Sequence, residues 1–217
     1  MILLCFILAS VFSYSLAFEG EIKIKYNQFN GPLKIDNASW FFKSDLSMFQ
    51  LNMKNDNGEL VKSSFIPDKK LNSLIIFGDL KAEDGKKYFY NIPVKSISKE
   101  SYLSAEKVFV ETTDEIKIIN TYKCRKVVVK TEQNTTEMWV AQALEVSFAS
   151  LSSFFPANIE MLGMQKSKIS GFPLKSVTKD LNGTVLFDFE VVSLSPSVLS
   201  VSDFLTPVGY IDSAKRE

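Results

Sequence analysis

The sequence predicts an α+β protein: a large curved antiparallel β-sheet, a half-barrel of about ten strands, wrapping one main helix. Three observations predict it. Short runs alternate apolar and polar residues with period two, Asx-Gly dipeptides punctuate them, and one segment alone carries a helical stripe.

The run EIKIKY (21–26) alternates strictly, with Ile22, Ile24 and Tyr26 on one face, and TVLFDFEVV (184–192) does the same through Val185, Phe187, Phe189 and Val191. Between them lie SWFFKSD (39–45), LSMFQLNM (46–53), ELVKSSFI (59–66), LNSLIIF (71–77), KKYFYNI (86–92), KVFVET (107–112) and IKII (116–119). TYKCRKVVVK (121–130) and TTEMWVAQAL (135–144) read as the two arms of a hairpin closed at Gln133-Asn134, and FPLKSVTK (172–179) as a further strand. Asn57-Gly58, Asp84-Gly85 and Asn182-Gly183 accept the positive φ that tight hairpins demand, which makes the sheet a meander.

In ALEVSFASLSSFFP (143–156), Leu144, Phe148, Leu151 and Phe155 recur at i, i+4, i+7 and i+11. That spacing is one face of a helix ended before Pro156, and its stripe has the sheet to bury against. KESYLSAEK (99–107) offers a second, shorter helical piece, and 157–171 reads as a mobile, Met-rich apolar loop.

The chain opens MILLCFILASVFSYSLA, an apolar run too short to span a membrane, with Ser15 and Ala17 in a small-x-small pattern. Residues 1–17 therefore read as a signal peptide and 18–217 as a single domain of an exported protein, cleaved near Ala17, with no transmembrane segment in the mature form. Charges balance at 25 against 25, and only Arg125 and Arg216 are arginine, which disfavours nucleic acid and other polyanions as partners.

Histidine is absent, which removes the commonest general base and metal ligand. Cys5 leaves with the leader, so Cys124 has no partner in the mature chain. Alternation places Tyr122, Cys124, Lys126 and Val128 on one face and sends Lys123 and Arg125 to the other, so no base activates the thiol. Cys124 reads as a small apolar residue in a sheet. Asp114 and Glu115 are adjacent on a strand and face apart, KNDNGE (54–59) lacks the spacing of a calcium loop, and SVTK (176–179) sets Ser176 and Lys179 on opposite faces. No catalytic residue, metal site or cofactor is expected, and the protein reads as a non-enzyme. The sequons at Asn37, Asn134 and Asn182 are chance matches in a bacterial chain; in a eukaryotic one Asn134 and Asn182 would be accessible.

Three islands carry a family resemblance. TYKCRKVVVK with TTEMWVAQAL resembles a GYKCKKY…EIWVTKDL hairpin, GFPLKSVTKDLNGT (171–184) resembles a GFPLE strand, and FLTPVGY (204–210) resembles a closing FEIPAGY. With its FEGEIKIKY start (18–26), the chain resembles the exported Bacteroidetes-type domain-of-unknown-function 4412 family, related in outline to GLPGLI-type proteins. Thr121 stands where that pattern has glycine. The resemblance implies the fold of the periplasmic lipoprotein carriers LolA and LolB, a curved sheet cradling a helix and loops, and implies no activity.

Eighteen Phe residues among 217 form the residue class with most to say about function. Trp40, Phe42, Trp139, Leu144, Phe148, Leu151 and Phe155 are the candidate lining of an apolar site in the concave face. Two functions follow. One is an envelope protein binding a lipid, an acyl chain or a lipidated partner; the other is an envelope interaction module whose interior is filled by its own side chains.

Overall fold

Twelve strands form one sheet in the computed structural model, which describes residues 18–29, 34–54, 58–68, 70–93, 108–146 and 167–215. The first six are β1 (Gly20–Phe29), β2 (Lys34–Lys43), β3 (Leu46–Lys54), β4 (Leu60–Asp68), β5 (Ser73–Gly78) and β6 (Lys87–Pro93). The next five are β7 (Phe109–Ile119), β8 (Tyr122–Lys130), β9 (Asn134–Ala141), β10 (Phe172–Asp180) and β11 (Val185–Pro196), followed by the short β12 (Tyr210–Asp212). The order is β12-β6-β5-β4-β3-β2-β1-β11-β10-β9-β8-β7. Two antiparallel meanders, β1–β6 and β7–β11, are thus welded side by side where β1 pairs with β11.

The expected meander is present and larger than anticipated, and one pairing breaks its rule. β12 lies parallel to β6, with Tyr210 opposite Lys87 and Asp212 opposite Phe89. The strands of this pair are far apart in the chain; residues 197–209 run from the end of β11 across the sheet to the β6 edge, a C-terminal crossover stiffened by a 3-10 turn at Val201–Phe204. Ser200 caps that turn reciprocally with Asp203.

The Asx-Gly turns hold where they are described: Gly85 has φ 75° and Gly183 φ 84°. Two turns use other chemistry. The β8–β9 hairpin closes through Thr131, whose hydroxyl accepts from the amides of Gln133 at 3.2 Å and Asn134 at 2.9 Å. Gln133-Asn134 is therefore not the turn pair; Asn134 already belongs to the strand. The β7–β8 turn places Asn120 at φ 46° and Thr121 at φ 70°, the twin positive φ of a type I′ turn.

The main helix expected over 143–156 is not present where it can be checked. Ala143 lies in a turn and Leu144–Val146 are non-helical, while 147–156 lie outside the described residues. The shorter piece at 99–107 and the loop at 157–166 lie outside them too. Local spacing gave the helical reading; the Ala141 carbonyl, accepting the Leu144 amide at 3.1 Å, instead closes a turn at the end of β9.

Both faces of the β1–β6 half are apolar. Register aligns Ile22 with Trp40, Ile24 with Ala38 and Trp40 with Phe49 on one face, the seat of the central cluster. On the other, Phe41, Met48, Ile66, Ile75 and Phe77 gather under Phe204 and Leu199 of the C-terminal crossover and Tyr210 of β12. That crossover covers a second apolar surface that water would otherwise meet.

Candidate functional site

The central cluster is built on β1, β2 and β3 and completed from β10. Trp40 has Phe49 at 5.0 Å, Phe172 at 5.7 Å and Phe42 at 5.8 Å between ring centroids, and Phe42 meets Phe172 at 6.3 Å. Phe49 continues the array to Phe65 at 6.1 Å. The Phe49 and Phe172 contacts with Trp40 are edge-to-face, the arrangement aromatic quadrupoles prefer. Each such buried side chain contributes about 1.5–3 kcal/mol through the water it leaves.

Of the expected lining, Trp40, Phe42 and Leu144 are brought together in this cluster and deeply buried. Trp139 lies at its margin, half-buried, with Lys117 Nζ over its ring at 5.8 Å. Phe148, Leu151 and Phe155 lie outside the described residues.

Phe172 is the member that sequence reasoning missed. Pro173 interrupts the alternation of its strand, and a register shift between Pro173 and Lys175 returns Phe172 to the cluster's face. Gly171, at φ 110°, permits this: a Cβ there would run into the Ala141 carbonyl oxygen.

The apolar field extends beyond the cluster. Phe18, Tyr26, Leu51, Phe65, Ile119, Tyr122, Val146, Phe189 and Leu194 pack around it, each only partly buried. Burial pushes the Tyr26 phenol well above its usual range, so it stays protonated at any physiological pH. Beyond Phe187 and Phe189, a buried hydroxyl pair joins Thr136 and Thr178 at 2.9 Å across β9 and β10.

Cys124 is 0% exposed and unpaired by any disulfide. Its thiol donates to the Tyr122 carbonyl at 3.5 Å, and burial raises its pKa, the opposite of what a nucleophile needs. Lys126, the cation on that face, is held by Glu137 at 3.1 Å and Glu115 at 3.2 Å, and those carboxylates raise its pKa. A register shift between Thr112 and Ile116 brings Glu115 within reach of Lys126. Among the described residues no group of three or more metal-ligating side chains converges, and no helix is long and apolar enough to cross a membrane.

The fold and this face define a large open, mainly antiparallel sheet with an aromatic floor and a polar, ion-paired margin. The chain belongs to the family named for a domain of unknown function, DUF4412, whose model matches residues 18–210. No curated protein matches it.

Among solved structures, it is similar to an uncharacterized conserved protein from Thermus thermophilus. That match has TM-score 0.52 and 11% identity and covers 91% of this chain and 92% of that one, which is a likeness of fold. It also overlaps PNGF-II at TM-score 0.43 and 17% identity, over 89% of this chain, spanning 31% of that one. MucB overlaps at TM-score 0.35 and 9% identity, over 87% of this chain and 57% of that one.

Proposed function

We propose that this is an exported, non-enzymatic envelope protein, cleaved near Ala17, that binds an apolar ligand on the aromatic face. The ligand would be a lipid, an acyl chain or the lipidated end of a partner protein. The observation that carries the reading is the extent of that face: a deeply buried floor at Trp40, Phe42, Phe49 and Phe172 ringed by partly buried apolar side chains from several strands and their connections.

Topology supports a concave shape for it. β6 and β7 are ten strand spacings apart, about 48 Å in a flat sheet. The 15 residues from 94 to 108 that join them reach at most about 55 Å fully stretched, so curling the sheet relieves the connection. Each methylene buried contributes about 0.8 kcal/mol, so a chain of roughly a dozen carbons brings about 10 kcal/mol against the entropy lost on ordering it.

A second reading keeps its footing on one observation. Trp40 is already surrounded by three aromatic rings, so the floor is filled by the protein itself, as in an interaction module. Native mass spectrometry of the protein purified from its own envelope separates the two. A co-purifying lipid of defined mass supports the binding reading. A bare chain, with no saturable change in tryptophan fluorescence on titration with lysolipid or fatty acid, overturns it and leaves the module.

A further inference from the structure

We propose that the outer edge of β7 is a self-association surface, where two copies pair antiparallel about a two-fold axis at Ile116. β7 ends the sheet: among the described residues it pairs with β8 alone, so the backbone groups of its other edge have no strand partner there. It is eleven residues long, and while Val110 and Ile119 pack inward, Phe109, Ile116 and Ile118 are 59%, 49% and 64% exposed. A long exposed edge of this kind is a template for another strand.

The charges select a second copy as the occupant. In β7, Glu115, Ile116 and Lys117 are consecutive. Antiparallel pairing about Ile116 sets Ile116 against Ile116 and, by symmetry, Glu115 of each copy against Lys117 of the other. One strand thus supplies both halves of two ion pairs, the self-complementarity that a two-fold interface requires. Lys117 fits that role within the chain as well. Its ammonium stands over the Trp139 ring, and no carboxylate among the described residues pairs with it. Glu115 also touches Lys126, but Lys126 keeps Glu137. Residues 113–115 depart from the regular ladder and the Glu115 amide already donates to the Thr113 hydroxyl at 3.2 Å, so few backbone bonds form between the copies, the contact is held chiefly by side chains at 115–118, and the dimer is weak.

Charge exchange tests the register. Analytical ultracentrifugation of the purified wild-type protein from about 1 to 200 µM should show a monomer–dimer equilibrium. Lys117→Glu places Glu against Glu twice, and Glu115→Lys places Lys against Lys twice, so each variant alone should be weakened at least about 10-fold. An equimolar mixture of the two should recover dimers as heterodimers, because each mixed pair is again opposite in charge.

Ile116→Cys should form a disulfide dimer under mild oxidation, since position 116 meets itself and Cys124 is buried. A wild-type protein monomeric at 200 µM overturns the proposal. So does association unaffected by either charge reversal. A mixture no more associated than its components, or an Ile116→Cys variant that does not cross-link, overturns the register.

Discussion

Glu19 accepts the Leu199 amide at 3.1 Å and the Lys43 ammonium at 2.7 Å, so one carboxylate ties the root of β1 to β2 and to the C-terminal crossover 180 positions away. The Lys43 contact first, and the Leu199 amide second, hold its pKa below the ordinary carboxylate value. A lowered folded-state pKa gives stability that is present above the unfolded value, near 4.3, and is lost as pH falls through the folded one.

Glu19→Gln should therefore melt below wild type at pH 7, and the gap should narrow as pH drops below about 4. Thermal unfolding followed by circular dichroism across pH 3–7 checks it. A gap that stays constant with pH would show that the Glu19 charge is not what fastens the crossover.

Thr121 occupies a left-handed position that glycine holds without strain and a β-branched residue does not. Thr121→Gly should raise stability by about 0.5–1 kcal/mol, the relief exceeding glycine's extra unfolded-state entropy. Urea denaturation reads it as a higher midpoint at unchanged slope. The neighbouring Asn120, whose side-chain amide donates to the Val191 carbonyl at 2.7 Å, should tolerate no such change without loss.

The Thr136–Thr178 hydroxyl pair is buried in the sheet. Thr136→Val removes the partner of the Thr178 hydroxyl and should cost about 1–3 kcal/mol. The double variant with Thr178→Val should cost less than the sum of the two single changes, because no widowed hydroxyl remains at position 178. Simple additivity in a double-mutant cycle would mean that the two hydroxyls do not interact.

Cys124 should react with a thiol reagent at least about 100-fold more slowly in the native protein than in urea, because access requires an opening that costs about 3 kcal/mol or more. Native and denatured labelling at similar rates would contradict its burial.

The strands were legible because their period is local: Ile22, Ile24 and Tyr26, or Phe187 and Phe189, announce a face without knowledge of any neighbour. Trp40 and Phe42 could be placed together for the same reason. Phe172 could not, since its position depends on a register shift beside a proline. The second apolar face, at Phe41, Met48 and Phe77, looked like surplus hydrophobicity in β-runs until the C-terminal crossover was seen to cover it. Nor does β12 carry a period, as three residues are too few, and its parallel partner lies more than a hundred positions upstream. The exposure of Ile116 follows from strand order, which no single stretch of sequence encodes.

The weld between β1 and β11 also sets a timetable. β2 reaches β1 almost as soon as it is made, but β11 begins only at Val185, so a chain emerging from the ribosome keeps the second side of its first strand open through most of its length. During that interval the Ile22–Ile24 row, almost completely dry in the finished protein, is available to any other nascent copy. A holding chaperone that recognises extended, β-branched segments near the N-terminus would act on this window, and its value to the cell would fall to nothing once residue 196 is through.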